Sequence, residues 1–343
     1  MSDGNQPPIK RKRAEGSPEV SEPYVCPLER SDIWYDDGNI ILQAESYQFK
    51  VYRGVLAQRS SVFKDMFSLP QPPLKDSDLV EGCPVVHLSD GWIELRYILR
   101  SILRRGWTDG KPPLSVVSAF LSLGRKYDIP NLRAEGKRSF YQEFPVTLED
   151  RDKLTVWTYI DVYFRLDNPN LSQWMKLAVI ARREGLISTL PYILYKCCCI
   201  YSAKEILRGT PASESPGSSM VYLASEDQVA CIAGHRLMIE AQARTAYKWL
   251  YSQETLSPLC TTCNDCDSSR RAQLIEKFTP LPKICALDDW EEAGHSAQEL
   301  CKFCAKTARK QHEQGRRTFW KALPVLLGLP QWIKLLKERD DSE

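Results

Sequence analysis

The spacing of apolar residues divides the chain into stretches of different character. Ile40, Leu42 and Ala44 fall on one face of an alternating run that begins to order near Ile33. After Glu45-Ser46, Tyr47, Phe49 and Val51 alternate with Gln48 and Lys50. Period two places alternate side chains on one face of a strand, so the two runs predict a β-hairpin. From Val55 the period becomes helical, with Val62, Phe63, Met66 and Phe67 on one side until Pro70, Pro72 and Pro73 stop the helix. Pro84 to Leu88 carries β-branched Val85 and Val86 between Gly82 and Ser89-Asp90 and predicts a third strand, after which Asp90 can cap a helix. Leu95, Ile98, Leu99, Ile102 and Leu103 form one helical stripe. Beyond the Gly106 to Pro113 loop, Val116, Val117, Phe120, Leu121 and Leu123 form another, and Pro130 opens the next helix. Strands, helices, a strand and then a run of helices is an α+β order.

The second half reads as helical. Ser172 to Glu184 presents Trp174, Leu177, Ala178 and Ala181 inward and stops at Gly185. Another helix follows Pro191, and Ser225-x-x-Gln228 and Ser296-x-x-Glu299 have the form of capping boxes. Gly209 to Ser219 reads as a loop, and Ser257 to Ser269 as a polar loop bearing cysteines. The organisation expected is a disordered basic tail over 1–29, an α+β domain over 30–145 and a mainly α-helical domain over 146–343.

Composition narrows the function. A chain of 343 residues suits two domains at roughly 150 residues each. The 46 basic and 44 acidic residues leave a net charge of +2, so no global field draws in nucleic acid or an anionic membrane, and any nucleic-acid contact would have to be local. The first residues lack the apolar core of a secretory signal. The most apolar run, Leu186 to Ala203, is interrupted by Pro191 and Lys196, so no spanning helix is expected. In an intracellular setting, nuclear or cytoplasmic, twelve cysteines are reduced thiols or metal ligands rather than disulfides.

The sharpest chemical pattern is Cys260-x-x-Cys263-x-x-Cys266, followed by Cys301-x-x-Cys304. Two residues between sulfurs let both thiolates reach one tetrahedral ion, so Cys260, Cys263, Cys301 and Cys304 could close a structural Zn²⁺ site. Cys266 is then surplus, His295 or His312 could substitute, and the alternative is five reduced cysteines. Cys197-Cys198-Cys199 sits in a helical stretch where thiols act as small apolar side chains. Lys10-Arg11-Lys12-Arg13 is a candidate nuclear-import cluster, with a solvated tail as the alternative. Phosphate-loop, dinucleotide, zinc-protease and nucleophile-elbow motifs do not occur in the sequence, so no catalytic residue is expected.

Ser31-Asp32-Ile33-Trp34-Tyr35-Asp36-Asp37-Gly38-Asn39-Ile40, Phe49-Lys50-Val51-Tyr52-Arg53-Gly54-Val55-Leu56-Ala57 and Ser60-Ser61-Val62-Phe63 together resemble the opening of a BTB/POZ domain, in the variant abundant in mushroom-forming fungi. Tyr52 stands where that family has His. Ala181 to Pro191, Phe319 to Pro324 and Gly328 to Pro330 are similar to segments that follow the domain in those proteins. The resemblance implies a non-enzymatic scaffold that self-associates and binds protein partners. Its alternatives are a substrate adaptor for a cullin-based ubiquitin ligase and a nuclear regulatory factor with a structural zinc site.

Overall fold

The computed structural model describes residues 27–69, 79–103, 110–154, 157–162, 172–213, 217–291 and 300–340. Lys10, Arg11, Lys12 and Arg13, the prolines from Pro70 to Pro73, and His295 and Ser296 lie outside them. The expected hairpin forms from β2 (Ile40–Ala44) and β3 (Tyr47–Val51), paired antiparallel with Leu42 opposite Phe49. β5 (Cys83–Leu88) is the strand that the Val85-Val86 pattern anticipates, and it adds in parallel to β2. Two further strands complete a five-stranded sheet of order β1-β3-β2-β5-β4: β1 (Glu29–Trp34), parallel to β3, and the two-residue β4 (Leu79–Val80). Neither shows an apolar alternation. Of β1 only Ile33 is buried, so backbone pairing rather than side-chain patterning holds this edge strand in place.

α1 (Arg53–Arg59), α2 (Ser61–Ser68) and α3 (Trp92–Leu103) pack on the sheet. Ser60 caps α2 by accepting from the Phe63 backbone N–H at 3.0 Å. Asp90 does not cap α3; its carboxylate takes the Lys126 ammonium at 2.5 Å and the Tyr127 hydroxyl, tying the start of α3 to the end of α4 (Leu114–Lys126).

α4 and α5 (Pro130–Glu143) join the two halves. Val116, Phe120 and Leu123 belong to the core beneath the sheet, whereas Leu114, Val117 and Leu121, on the opposite face of α4, belong to a second core. α5 repeats the division, with Leu132 in the first core and Phe140 in the second. The sequence boundary at residue 145 therefore falls after two helices that serve both units. Gly124 lets the helices close together, since a Cβ there would lie 3.1 Å from the Arg133 backbone nitrogen.

The second core is helical as expected. It is built from α6 (Leu148–Lys153), α7 (Gln173–Glu184), α8 (Leu190–Ile200), α9 (Ala203–Arg208), α10 (Ser225–Arg244), α11 (Lys248–Tyr251), α12 (Cys263–Phe278), α13 (Lys302–Leu326), α14 (Trp332–Leu335) and α15 (Lys337–Asp340). A short hairpin of β6 (Thr210–Pro211) and β7 (Met220–Val221) occupies the Gly209 to Ser219 loop. α7 ends at Gly185 with φ of 76°, as its sequence predicts. The expected capping box at Ser225 does not form: Ala224 is the N-cap, and Ser225 is already inside α10. The box that does form is Ser202 with Glu205, at α9. Cys197 and Cys198 are buried in α8, where they pack as apolar side chains.

Buried polar groups tie the peripheral segments down. The Glu143 carboxylate accepts from the backbone N–H groups of Thr158, Tyr159 and Ile160 at 3.2, 2.6 and 3.0 Å. The Arg316 guanidinium donates to the Leu287 carbonyl and to Asp152 at 2.9 Å each. Glu338 of α15 accepts from the Tyr141 hydroxyl at 2.9 Å and the Ser188 backbone N–H at 3.0 Å, while Arg339 donates to the Phe144 carbonyl at 2.6 Å.

Because α4 serves both cores, Phe120→Ala and Leu121→Ala should each destabilise by about 2 to 5 kcal/mol and shift one shared urea transition; two separated transitions would argue against fusion of the cores. At Gly315 of α13 a Cβ would sit 2.3 Å from the Thr245 carbonyl oxygen. Gly315→Ala should therefore destabilise by about 2 kcal/mol or more, although alanine gains about 1 kcal/mol of helix propensity. An unchanged unfolding midpoint would rule out that close approach.

Candidate metal centre

Four cysteines converge where α12 and α13 begin. Ser257 to Cys260 forms a turn closed by the Cys260 N–H on the Ser257 carbonyl at 3.1 Å, which brings Cys260 back towards the helix starts. Cys266 lies in the first turns of α12 and is buried. Cys301 is the N-cap of α13, and Cys304, also buried, follows three residues on. The sulfurs of Cys260, Cys266, Cys301 and Cys304 all lie within 4.8 Å of one another. All four cysteines are free of disulfides.

The thiols that gather differ at one position from the set expected from spacing. Cys263 is the first residue of α12 and is exposed, with its thiol directed to the Cys260 carbonyl at 3.8 Å. Cys266, the residue expected to be surplus, takes its place. The error traces to reading Ser257 to Ser269 as a loop. In a loop the nearest Cys-x-x-Cys pair would converge, but the helix from Cys263 turns position 266 inward instead. His312 is not near the cluster: its Nδ1 and Nε2 each lie 3.0 Å from a carbonyl oxygen, of Ala246 and Asp288.

The geometry suits a thiophilic ion. A tetrahedral thiolate centre with metal to sulfur bonds of about 2.3 Å has sulfur to sulfur edges of about 3.8 Å, and Cys260 and Cys301 are 3.8 Å apart. Surrounding donors stabilise negative sulfur. The Cys301 backbone N–H points at the Cys266 sulfur at 3.2 Å, and the Thr262 hydroxyl lies 3.4 Å from it. The Cys304 backbone N–H, foremost, with that of Thr261, brings the Cys301 thiol down to about 6. Burial, foremost, and the neighbouring Cys260 and Cys301 push the Cys304 thiol up. One readily ionised thiol beside one that resists ionisation is the arrangement a divalent cation would neutralise as a whole. Arg270, buried in α12, donates to the Glu254 carbonyl at 2.8 Å and holds the 252–256 segment alongside. A cleft of about 220 Å³, lined by Cys263, Cys266, Asp267 and Cys304 among others, borders the cluster.

No protein-family model and no curated protein sequence matches the chain. Among the described residues, no helix is long and apolar enough to cross a membrane.

The ligand set makes a discriminating expectation. Cys266→Ser should abolish stoichiometric metal uptake, measured by elemental analysis of the purified protein, while Cys263→Ser leaves it intact. The reverse pattern would restore the set read from spacing.

Proposed function

We propose that the chain is a protein-interaction scaffold built on a BTB/POZ-type first domain, that it self-associates, and that Zn²⁺ held by Cys260, Cys266, Cys301 and Cys304 fixes its helical half. The observation that carries the scaffold reading is the convergence of the residues on which the resemblance rests. Phe49, Val51, Leu56 and Phe63 are all fully buried in one core. Ser60 caps α2. Asp32 binds Arg96 of α3 at 2.6 Å and also Arg100, and the Arg96 hydrogen bond, foremost, holds its carboxyl down to about 2. Tyr52, in the position of the family's His, donates its hydroxyl to Asp37 at 2.6 Å and so keeps a polar tie at that place.

Zinc is the metal this donor set favours: four thiolates suit a soft or borderline ion, and with all four positions taken by protein the centre is structural rather than catalytic. It joins the starts of two helices to the 257–260 turn, a connection that burial alone leaves weak because Cys260 and Cys301 are only half-buried.

Light scattering of the purified full chain should give a dimer or larger species, and affinity purification from its native cell should retain a specific protein; a monomer that retains none would overturn the scaffold reading. A cullin among the retained proteins would make the chain a ligase adaptor. Separately, the protein should contain one zinc per chain, and chelation should lower its melting temperature. A metal-free protein with an unchanged melting temperature would remove zinc and leave the scaffold reading standing.

A further inference from the structure

α13 carries a second feature that neither core nor metal centre uses. Lys302, Lys306, Arg309, Lys310, Arg317 and Lys321 are all exposed. At 100° per residue these six positions fall within about 120° of arc, and at 1.5 Å per residue they extend over about 28 Å. The opposite face of the helix is buried through Cys304, Ala308, His312, Phe319 and Leu323, and towards the C-terminal end Arg316, Trp320 and Pro324 are buried as well, so the basic stripe is open to solvent from Lys302 to Lys310 and continues along one edge through Arg317 and Lys321. Between Lys302 and Lys321 the helix has one acidic residue, Glu313, and Arg316 engages it at 3.0 Å. Arg309 and Arg317 meet Glu291 and Glu149 at 2.9 and 3.1 Å, in exposed pairs that a stronger polyanion can displace. Among the described residues, Lys302, Lys306, Lys310 and Lys321 have no carboxylate within salt-bridge distance.

We propose that this face of α13 is a docking surface for duplex DNA, bound through its phosphates and without sequence preference. Charge complementarity identifies the occupant. Protein interfaces are depleted in lysine and centre on aromatic or apolar anchors. This stripe has four lysines, and the only large apolar side chain strongly exposed on α13, Val325, lies beyond its end. A duplex presents one negative charge per about 1.7 Å of axis, so cations spread along one side of a helix meet several phosphates at once. A helix of about 10 to 12 Å diameter fits the roughly 12 Å mouth of the B-form major groove, whereas the deep, narrow A-form groove of RNA excludes it. The near-zero net charge of the chain does not oppose this, because the field is local to one helix.

The test uses the full chain and a fluorescent DNA duplex of about 20 base pairs, titrated between about 50 and 200 mM salt. Wild type should bind at low salt with a log–log salt slope of roughly −4 to −5. Lys306→Gln, Lys310→Gln and Lys321→Gln combined should weaken binding at least about ten-fold and reduce the slope by about 3. Replacing Lys10, Arg11, Lys12 and Arg13 by Gln should leave the stripe-dependent part unchanged. The proposal is overturned if wild type does not bind at low salt, or if the triple variant binds as wild type does. It is also overturned if only the tail variant loses binding, or if an RNA duplex or a polyglutamate peptide binds as tightly as the DNA.

Discussion

The fold depends on α4 and α5 being apolar on two sides. A helix on the surface of a domain normally buries one stripe and wets the other. Here Val116, Phe120 and Leu123 complete the core under the sheet while Leu114, Val117 and Leu121 start the helical one. The second core is thus laid on the exposed side of the first unit's own helices rather than hung from a linker. Burial on both faces gives α4 a larger share of the hydrophobic stabilisation than its length suggests. It also makes the helical half an extension of the first unit.

The polar ties show what apolar burial alone does not fix. Glu143 gathers three backbone N–H groups of the 158–160 segment, and Arg316 gathers the Leu287 carbonyl and Asp152. Each puts a charged side chain on segments with little regular structure, where backbone groups would otherwise be unsatisfied. The four thiols do the same at the helix starts, and a cation would turn a cluster of mutually repelling donors into a cross-link. The stripe on α13 is the opposite case, with charges left to solvent on a helix whose other face is fixed.

Much of this was legible from residue order. The β2–β3 hairpin, the strand at β5, the stripes of α3 and α4 and the Gly185 stop of α7 follow from period and punctuation, which are local properties, whereas the parallel pairing of β5 with β2 does not. What was not legible depended on tertiary placement. β1 lacks alternation because it is held by pairing with β3, and the Ser225 box fails because α10 begins one residue earlier than its pattern suggests. Both stripes of α4 are visible in the sequence, but they read as one broad apolar helix until the second core is seen against it. Three of the four thiols that gather were anticipated. The fourth required knowing that Cys263 opens a helix, and the polar composition of Ser257 to Ser269 concealed it.

The order in which the two cores are completed carries a consequence for biosynthesis, the last tie being that of α15 to the end of α5. Tyr141 and Glu338 are 197 positions apart, and Arg339 reaches Phe144 over a similar span. A ribosome delivers every member of the first core by Leu132, so that unit can fold early, as N-terminal units generally do. Until α7 emerges to pack on α4, Leu114, Val117 and Leu121 stand as an uncovered greasy ridge on an already folded nascent domain. That ridge is a natural grip for a holding chaperone, and the arrival of α7 determines when it lets go.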